Sequence, residues 1–592
     1  MSIKFFTRKE VTLFTLFGTT VILLGWLFFI LTLFNFFVFP IILLGSILLL
    51  GTALFFLGRF FQFSPLVSKV LIIILVVITS INTFFTTPTI LSGRDQGSIS
   101  EAAIRLAQTS VLTYKNNAVS TFFDIYGPGL ALNFPGFVYT NDGSLLTQFP
   151  LVYTSFLAGF YRLLGMHGLV IANNLLLFCF LLSLFQLLRL FIEPSRAALA
   201  TLVAGLSFLP LYFSQLTLTE NLAVFLFTFL CYNLLCFIKK PIFLHYTAFF
   251  LATTLLVFTR IEGYIIFPLA FIVLLWNKDA RNLLRTYPLK AVVIPGAVFF
   301  FFFLRNFFMN LPYYKTIGRA FEKMLGGFGS DALSTSSSGL GLLAGHVPVG
   351  GVLILYGVLP IFLAGILGYL ILWRAKRRLI FIPLFIALPT LIYLFIPSIT
   401  LDHPWMLRRY YFTLFPVFIL GAAVGLSLLS DTTKQARIVY SSLMIFLLCF
   451  SLPANSSVLT VREDRALLPQ IEKFSQGFSP ESLILIDRAV TGSGYALPTD
   501  PLTNLYNRQA VYIFNPEDIA RIDFTRFSQV YLLTPESELY RYTETLSDKL
   551  IYKGSYTFTR TGLMETNLNQ NNSFAFPEKK TFETKNLLFQ LY

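Results

Sequence analysis

Charge is what this 592-residue chain has least of. Lys, Arg, Asp and Glu together make up 12% of it, about half of what a soluble chain uses to cover its surface. That shortage excludes a cytosolic enzyme, a disordered chain and a coiled coil. Cysteine is nearly absent too. The four, Cys179, Cys231, Cys236 and Cys449, all lie in apolar runs, and the polar segments have none. This pattern predicts packed thiols and no disulfide framework. A cleavable leader is also missing: the first apolar run is long and has no small-residue cleavage site, so it reads as a retained anchor. What the chain has in abundance is apolar surface. Hydrophobic residues are 56% of it, Phe alone occurs 68 times, and the mean hydropathy is +0.73. Only a polytopic membrane protein fits.

A helix crossing about 30 Å of hydrocarbon at 1.5 Å per residue needs roughly 20 apolar residues. Thirteen such segments can be read, at 11–32, 36–58, 66–86, 168–190, 197–213, 218–238, 242–258, 260–276, 289–309, 349–372, 380–397, 410–429 and 437–453. A fourteenth stretch, 149–164, is short, contains Pro150 and Gly159, and carries Arg162. Positive charge decides its role. If it lies in the interface, nineteen basic residues, Arg374, Lys376, Arg377 and Arg378 among them, fall on the side of the N-terminus. If it crosses, that last cluster faces outward, against the rule that short cytoplasmic loops hold the Lys and Arg. The net charge of +15 is therefore an orientation signal and not a nucleic-acid footprint. The N-terminus is expected in the cytoplasm and the C-terminus outside.

Three polar segments then face outward: 87–167, 310–348 and the tail from 454. Strand-like runs at Ser482–Asp487, Ala510–Phe514 and Gln529–Thr534, with helix-like stretches at 463–475 and 535–549, predict that the tail is a small α/β domain. The Ser/Gly-rich stretch 331–341 reads as a loop, either a plain linker or a lid. The expected division is two extra N-terminal helices (1–65), a membrane module (66–453) and an extracytoplasmic domain (454–592).

The first outer segment is the most informative. Ser92-Gly-Arg94-Asp95-Gln-Gly97 opens a helical pattern in which Ile99, Ala102, Ala103 and Leu106 share one face and Ser100, Arg105 and Gln108 the other. This predicts an amphipathic helix on the membrane surface. Ser98-x-x-Glu101 fits a capping box. Asp95, set between glycines just after a span, is either a helix-terminal charge or a functional carboxylate. Glu220 at a span start, Arg260 with Glu262 between two spans, and Asp402-His403 with Arg408-Arg409 before another span all reach the same level. Ionisable groups there are costly to desolvate, so they pair, anchor the helix or serve a substrate. One carboxylate to accept a hydroxyl proton, and arginines to hold a phosphate leaving group, form a set suited to sugar transfer from a lipid phosphate. His403 is an acid/base, a metal ligand or a packing residue on this evidence.

Taken in order, Arg94-Asp95-Gln96-Gly97 with its Ala-rich helix, Gln148-Phe149-Pro150-Leu151 through Leu163-Leu164-Gly165, Leu218-Thr219-Glu220, Thr259-Arg260-Ile261-Glu262-Gly263, and Arg409-Tyr410 before the span holding Pro416 resemble one family. It is the GT-C-fold integral membrane glycosyltransferases: the dolichyl-phosphate-mannose mannosyltransferases, aminoarabinose transferases and RgtA/B/C/D-like enzymes. The resemblance covers about residues 66–430. It implies an all-α polytopic module and a polyprenyl-phosphate sugar donor, with inversion at the anomeric carbon. It further implies Asp95 as catalytic base, Glu220 as acceptor or metal contact, and Arg260, Arg408 and Arg409 as phosphate ligands. Arg94, Glu262, Asp402 and His403 join them as substrate-binding candidates. Where the family carries Asp-Glu this chain has Asp95-Gln96, which weakens a metal-bound site; a divalent metal is compatible with the chain but not required by it. The acceptor, whether lipid, glycan or protein, stays open. So do two other classes, a lipid-linked glycan flippase and an O-antigen-type ligase or polymerase using diphosphate donors.

Overall fold

The computed structural model describes residues 8–91, 93–286, 289–315, 318, 346–395, 402–429, 434–546, 549–564, 566–567 and 574–592. The loop 331–341 lies outside them. Each of the thirteen apolar segments is built mainly of helix where described. Among the described residues six helices are long and apolar enough to cross a bilayer unaided, and three further pairs are bent, by 54° at Leu206/Phe208, 96° at Leu355/Val358 and 57° at Tyr411/Leu414. The rest are shorter apolar helices. Among these is Leu151–Leu164, whose 14 residues span about 21 Å, less than the bilayer core.

Burial sorts the helices. Thr219–Lys239, apolar on every side, is wholly enclosed, whereas Phe39–Arg59 is almost wholly exposed, as expected for a central and a lipid-facing helix. Arg8–Leu33 belongs to the centre: Phe14 meets Phe229 edge-on at 5.8 Å, and Trp26 meets Phe258 likewise. Small residues let two helices touch. A Cβ on Gly368 of Val358–Arg374 would stand 2.0 Å from the Gly421 carbonyl oxygen of Leu414–Leu429, the close approach that small-xxx-small spacing allows, here Gly421 and Gly425.

Outside the bundle, the first outer segment folds into helix Asp95–Thr109, helix Asn117–Tyr126 and a three-stranded sheet of β1 (Gly129–Leu130), β2 (Phe137–Tyr139) and β3 (Leu145–Thr147). Two expectations fail here. Helix Asp95–Thr109 is buried on both faces from Gly97 to Ala107, between Leu151–Leu164 and the tail, and does not lie half-exposed on a membrane surface. The capping box is absent as well. The helix begins one turn earlier, with Arg94 as N-cap and Asp95 in the first turn, and Glu101 pairs with Arg105 one turn on. The third correction concerns thiols: Cys449 is exposed, while the other three cysteines are buried.

The tail contains the predicted strands as β5 (Leu483–Ile486), β6 (Gln509–Tyr512) and β7 (Val530–Pro535), after β4 (Asp402–His403). It also has β8 (Leu550–Met564), β9 (Thr566–Asn567) and β10 (Glu578–Leu591). Five of these make a sheet in the order β6-β5-β7-β10-β8, parallel at β5 and antiparallel beyond β7. Alternation along β5 sends Ile484 and Ile486 to one face, covered by helix Leu467–Ser475. Leu483 and Leu485 go to the other, where they share a core with Val119, Phe122, Phe134 and Tyr139 of the first outer segment. Tail and first segment thus complete each other's hydrophobic core.

Candidate active site at the end of the bundle

Four arginines and four carboxylates meet where the first outer segment and the tail cover the bundle. At the centre Arg260 is fully engaged: Nη1 reaches Glu220 at 2.7 Å, and Nε and Nη2 donate to Glu262 at 3.0 and 2.7 Å. Nη1 also donates to the Thr219 hydroxyl at 3.1 Å, which in turn donates to Glu220. The Tyr393 hydroxyl donates to Glu262 at 2.7 Å. The sequence places this knot well. Thr219 and Glu220 open one helix and Glu262 caps the next but one, so their side chains rise at helix ends where backbone N–H groups favour anions. Breaking such a buried pair from one side costs roughly 3–5 kcal/mol. Arg260 therefore holds two carboxylates in place, with all three of its nitrogens engaged.

Beside it lie two simpler pairs. Arg408 meets Asp95 and Arg94 meets Asp402, each at 2.5 Å. Trp405 stands between them, with the two guanidinium carbons 4.5 and 5.0 Å from its ring centroid, a cation–π arrangement that fixes the spacing of both arginines. Tyr495 of the tail covers Arg94 from the other side at 4.1 Å. Thr217 ties the segment before Glu220 to the Asp95 helix, donating to the Gln96 carbonyl at 2.6 Å and meeting the Ser100 hydroxyl at 2.7 Å.

Two groups remain available. The Asp95 side chain is 39% exposed, against 14% for Asp402, 3% for Glu220 and 8% for Glu262, so it is the most open of the four carboxylates. Arg409 sits 3.8 Å from Glu262, and its Nε is buried without a hydrogen-bond partner among the described residues. A buried, underused guanidinium is expensive unless an anion arrives.

Of the sequence candidates, Asp95, Arg94, Glu220, Arg260, Glu262, Asp402, Arg408 and Arg409 come together. His403 does not join them. It alternates away from Asp402 along β4, is completely buried, and its Nδ1 meets the Tyr356 hydroxyl at 2.9 Å, which is the packing role. Tyr393, Trp405 and Tyr495 were not anticipated as site residues. Only Trp405 carried a signal, its place between Asp402 and Arg408. Among the described residues no three His, Cys, Asp or Glu side chains gather as a metal-ligand set.

No family model matches the chain, and no curated protein matches it. Solved structures do. ArnT from Cupriavidus metallidurans in the apo state aligns with a TM-score of 0.47 at 12% identity, over 88% of this chain and 97% of that one. The same enzyme bound to undecaprenyl phosphate aligns at 0.43 over the same shares, again at 12% identity. The archaeal oligosaccharyltransferase AglB from Archaeoglobus fulgidus, in complex with an inhibitory peptide and a dolichol-phosphate, aligns at 0.45 and 12% identity over 81% of this chain and 71% of that one. Likeness of this degree assigns no residue and no substrate.

Proposed function

We propose that the chain is a GT-C-type membrane glycosyltransferase that moves a sugar from a polyprenyl-phosphate donor to an acceptor hydroxyl at the outer face of the cell membrane, inverting the anomeric carbon. The observation that carries this reading is the part-open Asp95 carboxylate set among four arginines at one end of an apolar helix bundle. The acceptor oxygen attacks the anomeric carbon while its proton passes to Asp95. The bond from that carbon to the phosphate oxygen breaks, and its electron pair leaves with the phosphate. A phosphate leaves without a general acid, so one base suffices. Arg409, which has donors to spare, takes the phosphate, and Arg408 holds Asp95 in place while adding to the positive field. A single displacement inverts the configuration. Residues 66–453 form the transfer module in this reading. The orientation rests on the rule that short cytoplasmic loops hold the Lys and Arg.

The test is transfer in proteoliposomes supplied with a polyprenyl-phosphate sugar. Asp95→Asn keeps the size and hydrogen bonding of the side chain but cannot take the proton, and should lower turnover by about 10²–10⁴-fold. Full activity in that variant would end the mechanism. Donor movement across the bilayer with no glycoside formed would mark a flippase, and use of diphosphate donors alone would mark a ligase.

A further inference from the structure

A second cleft, of about 270 Å³, opens between the first outer segment and the tail, and Gly93 and Tyr495 connect it to the Arg94 side of the site. Its walls are unusual for a water-facing surface. Tyr495 and Phe514 are 49% and 50% exposed. One face of the Tyr495 ring is taken by Arg94, which leaves the other to the cleft. Phe514 follows β6 and alternates with the buried Ile513, so it points outward. Polar residues in its lining are few: the exposed Arg488, which forms no ion pair among the described residues, Gln148 and the largely buried Tyr512. Gly494 makes room for Arg488, since a Cβ there would stand 2.4 Å from its Nε.

Resting on the transferase reading, we propose that this cleft binds the sugar rings of a glycan acceptor. A pyranose has an apolar C–H face and a rim of hydroxyls. Two open aromatic rings with a guanidinium, an amide and a phenol beside them match that pattern, an apolar lining with a few placed polar groups. A peptide fits less well. It would add to the sheet at its edge strand β6, but the first outer segment already occupies that edge: Asn133 donates to the Tyr512 carbonyl at 2.7 Å, and the Ala118 N–H donates to the Gln509 side chain at 3.1 Å. A lipid chain is excluded by place, because the walls are the tail sheet and the loop of β1 and β2, not the bundle.

The experiment titrates full-length protein in nanodiscs with free oligosaccharides of glucose, mannose, galactose, N-acetylglucosamine and arabinose, and with a panel of random peptides. At least one oligosaccharide should bind. Phe514→Ala and Arg488→Ala should each weaken it by about tenfold, and Phe514→Trp, which keeps a flat ring, should retain it. Neither residue touches the arginine–carboxylate cluster, and Asp95→Asn should bind with parental affinity while transfer is lost. Absence of any bound oligosaccharide, unchanged affinity in the Phe514→Ala/Arg488→Ala double variant, or binding of peptides only would overturn the proposal. Transfer retained in Asp95→Asn would instead overturn the transferase mechanism and leave the binding result to decide this one.

Discussion

At the scale of single residues, the arginines of the cluster differ in how far their nitrogens are engaged. Arg260 is tied by all three of its nitrogens to Glu220, Glu262 and Thr219, whereas Arg409 Nε has no hydrogen-bond partner among the described residues. Arg409→Ala should therefore give folded protein whose donor KM rises by about tenfold or more, while Arg260→Ala should fail to accumulate or melt at much lower temperature. Purification yield and steady-state kinetics distinguish the two. Glu463, in a cleft beside Gln96 and Asp464, offers a pH test. Burial, reinforced by the Asp464 charge, pushes its carboxyl from 4.5 up to about 7. The unfolded chain releases that proton near 4.5 and the folded chain only near 7. Stability therefore falls as pH rises through this window, and the penalty is complete above it. Glu463→Gln removes the penalty, about 3 kcal/mol, so it should melt higher than the parent at pH 8 and together with it at pH 4.5. Much of the arginine–carboxylate cluster was legible because charge is so scarce in this chain that each ionisable group at a helix end stands out. His403 misled for the same reason, since a histidine bonded to a buried tyrosine looks identical in sequence to one that faces a substrate.

At the scale of elements, apolar length made the membrane helices legible, and their breaks were not. The 96° bend before Val358 sits at Gly357, whose positive φ of 70° suits glycine, but a glycine within an apolar run rarely announces a corner. The hairpin of β8 and β10 is hard to read because the first half of β10, residues 578–585, carries Lys, Thr and Glu on both faces and so lacks the apolar alternation of a half-buried strand. The capping box failed because Ser98 lies inside a helix that begins at Asp95. Helix contact depends on glycine more sharply than either pattern suggests. Gly368→Val would drive a side chain into the Gly421 carbonyl, pushing Leu414–Leu429 and the adjoining Arg408 and Arg409 outward. Thermal stability should drop by several degrees and transfer should fall with it, whereas Gly58→Val, which meets nothing, should alter neither.

At the scale of the whole molecule, the tail is not an appendage. It covers Arg94 with Tyr495, pairs β9 with β4 beside Asp402, and fills a core begun by Val119 and Phe122. Ending the chain at residue 460 should leave the helices in the membrane but expose 117–147 to protease and abolish transfer; a truncated form with parental activity would contradict this. The same interlocking has a consequence for biosynthesis. Ala118 waits for Gln509, 391 residues later. At about 5–20 residues per second, the Asp95 segment emerges and then stands without its partner for roughly 20–80 s while the remaining helices are inserted. Every arginine and carboxylate of the cluster lies between Arg94 and Arg409, so the charged groups are all synthesised before Tyr495 and the strands β5–β7 that cover them, and until then the cluster and the core begun by Val119 and Phe122 stand open.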